Sequence, residues 1–399
     1  MTTRSLSSAR GAQATARLPL LEKGFRPFFL LGAAFAVLAV PLWIVALKGG
    51  LEPGGAFGAM QWHAHEMLFG FSCAIIAGFL LTAVGNWSGR ETVTGWPLGA
   101  LVGLWALGRA AVFFAARLPR LIPALLDVSF LPALAIACAL PLFAARSLRN
   151  YGFVGLLFGL ATANAAAHGY ALHGDLESVR LAHHFALNLI VVLLVGMTGR
   201  VVPMFTRNAT HLAWIRAIPL LERGSLAALI LLALCDLVPR ASPLSAAVSA
   251  VGAAFLLARM RFWGTQHTAR QPLLWILHVG TLFIPLGLLL RVLAFAVPSV
   301  PLGSSLHALT AGAIGSLTLG MMARVSLGHT GRLLTPSRGV TWAFLSLVSA
   351  AVVRVGAPFF PGSWYFGALT VAAALWSSAF ALFLFAYAKI LFSARADAR

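Results

Sequence analysis

Twelve long apolar runs, separated by charged or Pro/Gly-rich breaks, limit the folds that this 399-residue chain can adopt. A helix needs about 20 mainly apolar residues to cross the hydrocarbon core of a bilayer, and each run is close to that length. The runs are 28–47, 62–85, 97–116, 121–143, 151–172, 183–205, 217–238, 241–260, 272–296, 304–328, 340–360 and 363–392. They predict an all-α polytopic membrane protein of about twelve transmembrane helices. Its single transmembrane domain covers 28–392, between an N-terminal tail, 1–27, and a C-terminal tail, 393–399.

The positions of Lys and Arg predict the orientation of these helices. The formal net charge is +19, but the basic residues are scattered singly between apolar runs, unlike the clustered basic face that binds nucleic acid. With the N-terminus in the cytoplasm, few basic loop residues fall on the outer side. Those are Lys48, Arg117, Arg120, Arg180 and Arg240. We therefore predict that both tails are cytoplasmic and that even-numbered runs lead inward from the outer face.

Histidines occur repeatedly at the predicted outer ends of the runs. Those in the second, fifth, sixth and tenth runs are His63, His65, His168, His183, His184 and His307. From His65 to His184 is 119 residues, and from His184 to His307 is 123. This nearly constant period predicts three four-helix repeats, with the histidines gathered in one layer.

Imidazole is a common ligand of copper and haem iron, so these histidines are candidate metal ligands. On a helix, His63 and His65 point about 200° apart and cannot easily share one metal, whereas His183 and His184 are about 100° apart and could flank one cavity. Two sites are therefore expected rather than one. The sequence has no Cys-x-x-Cys-His motif for covalent attachment, so a haem would be the non-covalent b type.

Three arginines lie within apolar runs near the same layer, where an unpaired charge is costly. A guanidinium matches a carboxylate in geometry, so Arg109, Arg291 and Arg354 are candidate partners for haem propionates. Glu66 lies in the same layer and is a candidate proton donor.

Each of these residues also has a structural interpretation. A histidine near a helix mouth is often an interface residue or a contact between helices. Glu66 could satisfy the N-terminus of its own helix, where a carboxylate is favoured. Any of the three arginines could pair with Asp127 or with free backbone carbonyls.

A string of motifs, in order, resembles the NnrS family of bacterial inner-membrane proteins. These motifs are GFRPFFLL at 24–31, WHAHEMLFGF at 62–71, AGFLLTAVGNWSGR ending at 90, GRVVPMFT at 199–206, WILHVG at 275–280 and HALTAGAIGSLTLGMMARVSLGHTGR at 307–332. The resemblance implies twelve spans, haem and copper as cofactors, a place in the bacterial inner (cytoplasmic) membrane, and protection against nitric oxide.

The placement of His65, His184 and His307 is also similar to that in the catalytic subunits of haem–copper oxidases and nitric oxide reductases. Those proteins have twelve helices and histidine ligands on the second, sixth and tenth. This likeness concerns the fold alone, because function depends on the site.

Together these observations lead to a hypothesis of nitric oxide reduction to nitrous oxide at a haem–copper site near the periplasmic face, with Glu66 as the catalytic acid. The partners expected are nitric oxide, membrane lipids and a quinol or another electron donor, with no nucleic acid. The sequence does not determine the oligomeric state. Two alternatives remain open: a transporter or handling protein for copper or haem, and a nitric-oxide-responsive redox sensor.

Overall fold

The computed structural model describes residues 18–238 and 242–397, and within them the chain is helical, with no β-strand. Residues 1–17 of the predicted N-terminal tail, Arg240 and residues 398–399 lie outside the described part. The long helices are α1 Phe25–Leu47, α2 Gly55–Ser88, α3 Gly95–Phe113, α4 Leu121–Ala144, α5 Tyr151–Leu172, α6 Leu176–Thr210, α7 Pro219–Cys235, α8 Ser242–Met260, α9 Pro272–Ala296, α10 Leu302–Gly328, α11 Arg338–Phe359 and α12 Gly362–Phe392.

Ten of these helices are long and apolar enough to cross a membrane. The other two are α7, which has 17 residues, and α5, in which Asn164 and His168 interrupt the apolar sequence. The prediction of an all-α, multi-pass membrane protein is thus confirmed. Which side of the membrane each end of the bundle faces stays a prediction.

Every fourth helix, beginning with α2, lies at the centre of the bundle. The most apolar segments of α2, α6 and α10 are 83%, 72% and 72% buried, against 67% for α9, 50% for α8 and 39% for α1, α3, α4, α11 and α12. The three central helices contact one another. Successive helices of the bundle alternate in direction, so the second, sixth and tenth helices all run the same way. The packing therefore has the four-helix period that the histidine spacing predicts.

The central helices bring their N-terminal ends together, and we call this the histidine end of the bundle. Two of them start earlier than the apolar runs predict, α2 at Gly55 and α6 at Leu176. In α6, Asp175 caps the helix by accepting a hydrogen bond from the Ser178 backbone N–H at 3.0 Å. The Asp175 cap and the acidic residue in the first turn stabilise a helix start that lies in polar sequence. A hydropathy pattern does not predict such a start.

Two central helices contain a π-helical segment immediately after a histidine. In α2 it covers Glu66–Ser72, and in α10 it covers Ala308–Ile314. Both segments have seven residues, and their starts, 66 and 308, are separated by the same 242 positions as His65 and His307. A π segment inside an α-helix is rare and frequently occurs at a functional site.

The first and last helices close the bundle. The Trp376 indole Nε1 donates to the Ala36 carbonyl at 3.1 Å, and the Ser377 hydroxyl donates to the Val37 carbonyl at 3.0 Å. These hydrogen bonds join α12 to α1, so the ends of the chain are held beside each other around the central helices.

Candidate functional site

A buried group of charged and polar side chains lies at the histidine end, on four different helices. Asp127 is at its centre: its Oδ2 accepts from His65 Nε2 at 2.9 Å and from His168 Nε2 at 2.8 Å. Arg109 pairs with Asp127 Oδ1, and its Nη1 donates to Glu66 Oε2 at 2.9 Å. We call these five residues the Asp127 cluster.

The charges of the Asp127 cluster do not balance. Two carboxylates, on Glu66 and Asp127, surround the one guanidinium of Arg109, and all three side chains are buried. With neutral imidazoles, the cluster therefore carries one negative charge in excess. In a low-dielectric interior such a charge favours a bound cation or proton nearby. Glu66 Oε1, which is buried without a hydrogen-bond partner, is one place where a proton could reside.

The donor atoms of this cluster are spaced as metal ligands are. One ligand atom each from His65, Asp127 and His168 lies within 4.8 Å of the others. Among the described residues, no other three His, Cys, Asp or Glu side chains bring their ligand atoms so close together. Imidazole with carboxylate suits first-row transition metals. These three residues would fit a metal ion only in place of the hydrogen bonds that now join them.

His183 extends the cluster towards the neighbouring cavity. Its Nε2 lies 3.4 Å from His65 Nδ1, and its Nδ1 lies 3.1 Å from Gln61 Oε1. The Phe57 ring packs against three imidazoles, with centroid distances of 4.6 Å to His65, 5.0 Å to His168 and 6.1 Å to His183. This ring therefore packs against all three imidazoles of the site.

A cavity of about 280 Å³ lies at the same end, lined by the three central helices together with α1, α11 and α12, and its walls are mostly apolar. The histidines that line it are His63, His183, His184 and His307. His63 stacks on Trp43, with ring centroids 4.1 Å apart. His307 donates from Nδ1 to the Gly303 carbonyl at 2.7 Å, which leaves its Nε2 free to act as a ligand.

Arg354 also lines this cavity, and among the described residues no carboxylate forms an ion pair with it. Its Nη1 is buried without a hydrogen-bond partner. A buried guanidinium nitrogen that lacks an acceptor is costly, so an anionic ligand in the cavity would relieve this cost.

The three intramembrane arginines thus separate into two kinds. Arg109 is paired with Glu66 and Asp127. Arg291 forms a two-fold pair with Asp236, one contact being 2.8 Å from Nη1 to Oδ2, and neither Arg109 nor Arg291 lines the cavity. Only Arg354 therefore lacks, among the described residues, a partner whose place an external anion would take, because Glu66 and Asp127 partner Arg109 and Asp236 partners Arg291.

A second, smaller cavity of about 50 Å³ reaches the other side of the Asp127 cluster. It is lined by Phe57, His168 and Arg120, the last of which is exposed. A space of this size holds water molecules when its walls are polar enough. The small cavity has Arg120 and His168 as its two polar lining residues, and it separates the exposed Arg120 from the buried His168.

The structure brings together most of the residues predicted from the sequence. His65, His168 and Glu66 belong to the Asp127 cluster, His63, His184 and His307 line the cavity, and His183 belongs to both. As helical geometry predicts, His63 and His65 face different sites. Sequence reasoning missed Gln61 and Phe57 and treated Asp127 only as an arginine partner, although an acid within an apolar run is itself a signal of function.

The fold and the site define a polytopic membrane protein with a histidine-lined cavity beside a buried carboxylate–imidazole cluster. The chain matches the family described as NnrS protein over residues 19–395, and it belongs to that family. Membership makes it a membrane protein of the nitric oxide response. No curated protein matches the chain.

Proposed function

We propose that the protein binds haem b in the cavity and copper beside the Asp127 cluster, and that it protects a bacterium against nitric oxide from the inner membrane. The N- and C-termini are cytoplasmic in this proposal, so the histidine end faces the periplasm. The observation that carries the haem assignment is Arg354, an unpaired guanidinium in an apolar cavity that His63 and His307 also line.

The residues of the cavity fit a haem in three respects. His307 Nε2 is free because its Nδ1 donates to a backbone carbonyl, and a neutral imidazole is the usual axial ligand. Arg354 can bind a propionate through a charge-assisted hydrogen bond. The apolar walls favour a large flat ring over water.

In the proposed reaction, two nitric oxide molecules, two electrons and two protons give nitrous oxide and water. A quinol or another donor in the membrane supplies the electrons, and haem and copper together supply the redox chemistry. Glu66 is the proposed proton donor, because one of its oxygens is held by Arg109 while the other has no partner. The small cavity beside His168 is the proposed path by which water and protons reach the cluster.

Arg354→Leu is expected to weaken haem binding by roughly 10- to 100-fold, because a hydrogen bond to a charged group contributes about 1.5–3 kcal/mol. His307→Ala is expected to remove or shift the Soret band. The measurement is the haem-to-protein ratio of each purified variant, made from haem-replete cells.

Arg291→Leu is the matched control, since it removes the same side chain at a similar depth from a site where Asp236 is its partner. Its haem content should stay at the wild-type level. Equal haem content in the Arg354→Leu and Arg291→Leu variants would refute the assignment of the cavity. Consumption of nitric oxide by the reduced wild-type protein, with nitrous oxide as product, tests turnover separately.

A further inference from the structure

Two imidazole nitrogens on different central helices face each other at the histidine end. His65 Nδ1, on α2, lies 3.4 Å from His183 Nε2, on α6. Whether each of these atoms carries a hydrogen depends on what the other nitrogen of its ring contacts. The contacts on both far sides therefore decide what occupies the space between the rings.

The far nitrogen of His65 contacts a carboxylate. His65 Nε2 lies 2.9 Å from Asp127 Oδ2, and Asp127 is ion-paired with Arg109 through its other oxygen. An ionised carboxylate only accepts hydrogen bonds. His65 must therefore carry its hydrogen on Nε2, so in the neutral ring Nδ1 presents a lone pair to His183.

The far nitrogen of His183 contacts an amide oxygen. His183 Nδ1 lies 3.1 Å from Gln61 Oε1, which also only accepts. His183 therefore carries its hydrogen on Nδ1 and presents a lone pair from Nε2. Two lone pairs that face each other at 3.4 Å in a buried site repel, unless a cation lies between them.

We infer that His65 Nδ1 and His183 Nε2 ligate one copper ion, and that Asp127 and Gln61 are positioning residues that fix the two ring tautomers. The inference rests on the proposed function for the identity of the metal. Imidazole nitrogen suits copper. Carboxylate-to-histidine contacts of this kind orient metal ligands in many sites.

The distance between the two nitrogens suits this arrangement. A metal bound about 2.0–2.1 Å from each would subtend an angle of roughly 110–115° at 3.4 Å separation, which matches two positions of a trigonal or tetrahedral ion whose remaining positions face the cavity. His183 also lines the cavity, so the ion would lie at the cavity wall. Asp127 Oδ2 already accepts from His65 and His168, and in this arrangement neither Asp127 nor His168 is a ligand.

The test is a copper titration of the purified full-length protein, with the copper-to-protein ratio and the nitrogen hyperfine pattern of Cu(II) as readouts. His65→Ala and His183→Ala are expected to lose copper, and the hyperfine pattern of the wild type should show two imidazole nitrogens. Gln61→Leu keeps every imidazole but should weaken copper binding about 10- to 100-fold, a typical effect of losing such a partner. Gln61→Glu, which keeps the acceptor, should restore it.

Two further variants serve as controls. His168→Gln keeps a donor to Asp127 and should retain copper. His278→Ala removes another buried imidazole, which contacts Thr206 and Thr265 instead, and should also retain copper.

Copper retained in His183→Ala would overturn the inference. Copper lost in His168→Gln as well would then indicate a site made by His65, Asp127 and His168. Haem content measured in the same samples separates the two proposals. A wild-type protein that holds haem but binds no copper refutes this inference and leaves the haem assignment standing.

Discussion

Replacing Asp127 with leucine is expected to lower the free energy of unfolding by about 3–5 kcal/mol, the typical cost of breaking a buried ion pair. Arg109 would lose one of its two carboxylates, and the N–H groups of His65 and His168 would lose their acceptor. Each buried donor left unsatisfied costs about 1–3 kcal/mol. The measurement is the midpoint of thermal unfolding of the detergent-solubilised protein.

Two variants show whether this loss comes from the buried contacts. Asp127→Asn keeps an oxygen that accepts from the imidazoles, so its effect should be smaller. Glu177→Gln breaks the exposed pair with Arg180, and exposed pairs contribute no more than about 1 kcal/mol. A leucine variant as stable as Glu177→Gln would show that Asp127 does not hold the four helices together.

Gly70→Val is expected to destabilise the Asp127 cluster by overpacking. A Cβ at Gly70 would lie 2.8 Å from Glu66 Oε2, 2.9 Å from Phe35 Cε1 and 3.1 Å from Arg109 Cδ. The extra carbon atoms would force the Glu66–Arg109 pair apart. Overpacking typically costs about 1–3 kcal/mol, and the separated charges add to this. The measurements are the midpoint of thermal unfolding, which reports the loss of stability, and the copper content of the same preparation, which reports damage to the Asp127 cluster.

Gly103→Val is its matched control on α3, because a Cβ at Gly103 meets no atom within 4 Å. This variant should unfold at the wild-type temperature or slightly above it, since valine favours a helix more than glycine does. If the two valine variants were equally stable, the space beside Gly70 would not be needed by the ion pair.

The helices could be predicted from the sequence because the length of an apolar run is a local property. The two-residue break between the runs 340–360 and 363–392 is the clearest case: α11 ends at Phe359 and α12 begins at Gly362. Helix starts in polar sequence, such as Leu176 in α6, could not be predicted from hydropathy. They depend on caps such as Asp175, whose effect does not alter the apolar pattern.

The residue types of the site could be predicted, but not their partners. Ionisable residues in apolar runs are rare, so His65, His183 and Arg354 were recognisable as candidates. Pairing depends on which helices adjoin, and this is why Arg291 is a candidate partner for a haem propionate in the sequence although Asp236 lies beside it in the structure. Gln61 and Phe57 have no distinguishing signal, since polar and aromatic residues are ordinary at a helix mouth.

The π-helical segments after His65 and His307 change the rotation of the helix between the turn that carries the histidine and the rest of the helix. The direction in which the histidine points is therefore not fixed by the face that the rest of the helix packs. Hydrogen bonds there shift to the fifth residue along the chain, so the histidine-bearing turn is out of phase with the helix body below it. Deletion of one residue from either segment would restore the α-helical hydrogen bonds to the fourth residue along the chain. It would also rotate the preceding histidine by about 100° about the helix axis. His65 would then face away from Asp127 although every ligand was still encoded. The spacing of this part of the chain is therefore as much a requirement of the site as its side chains, and a single-codon deletion there would act like a ligand substitution.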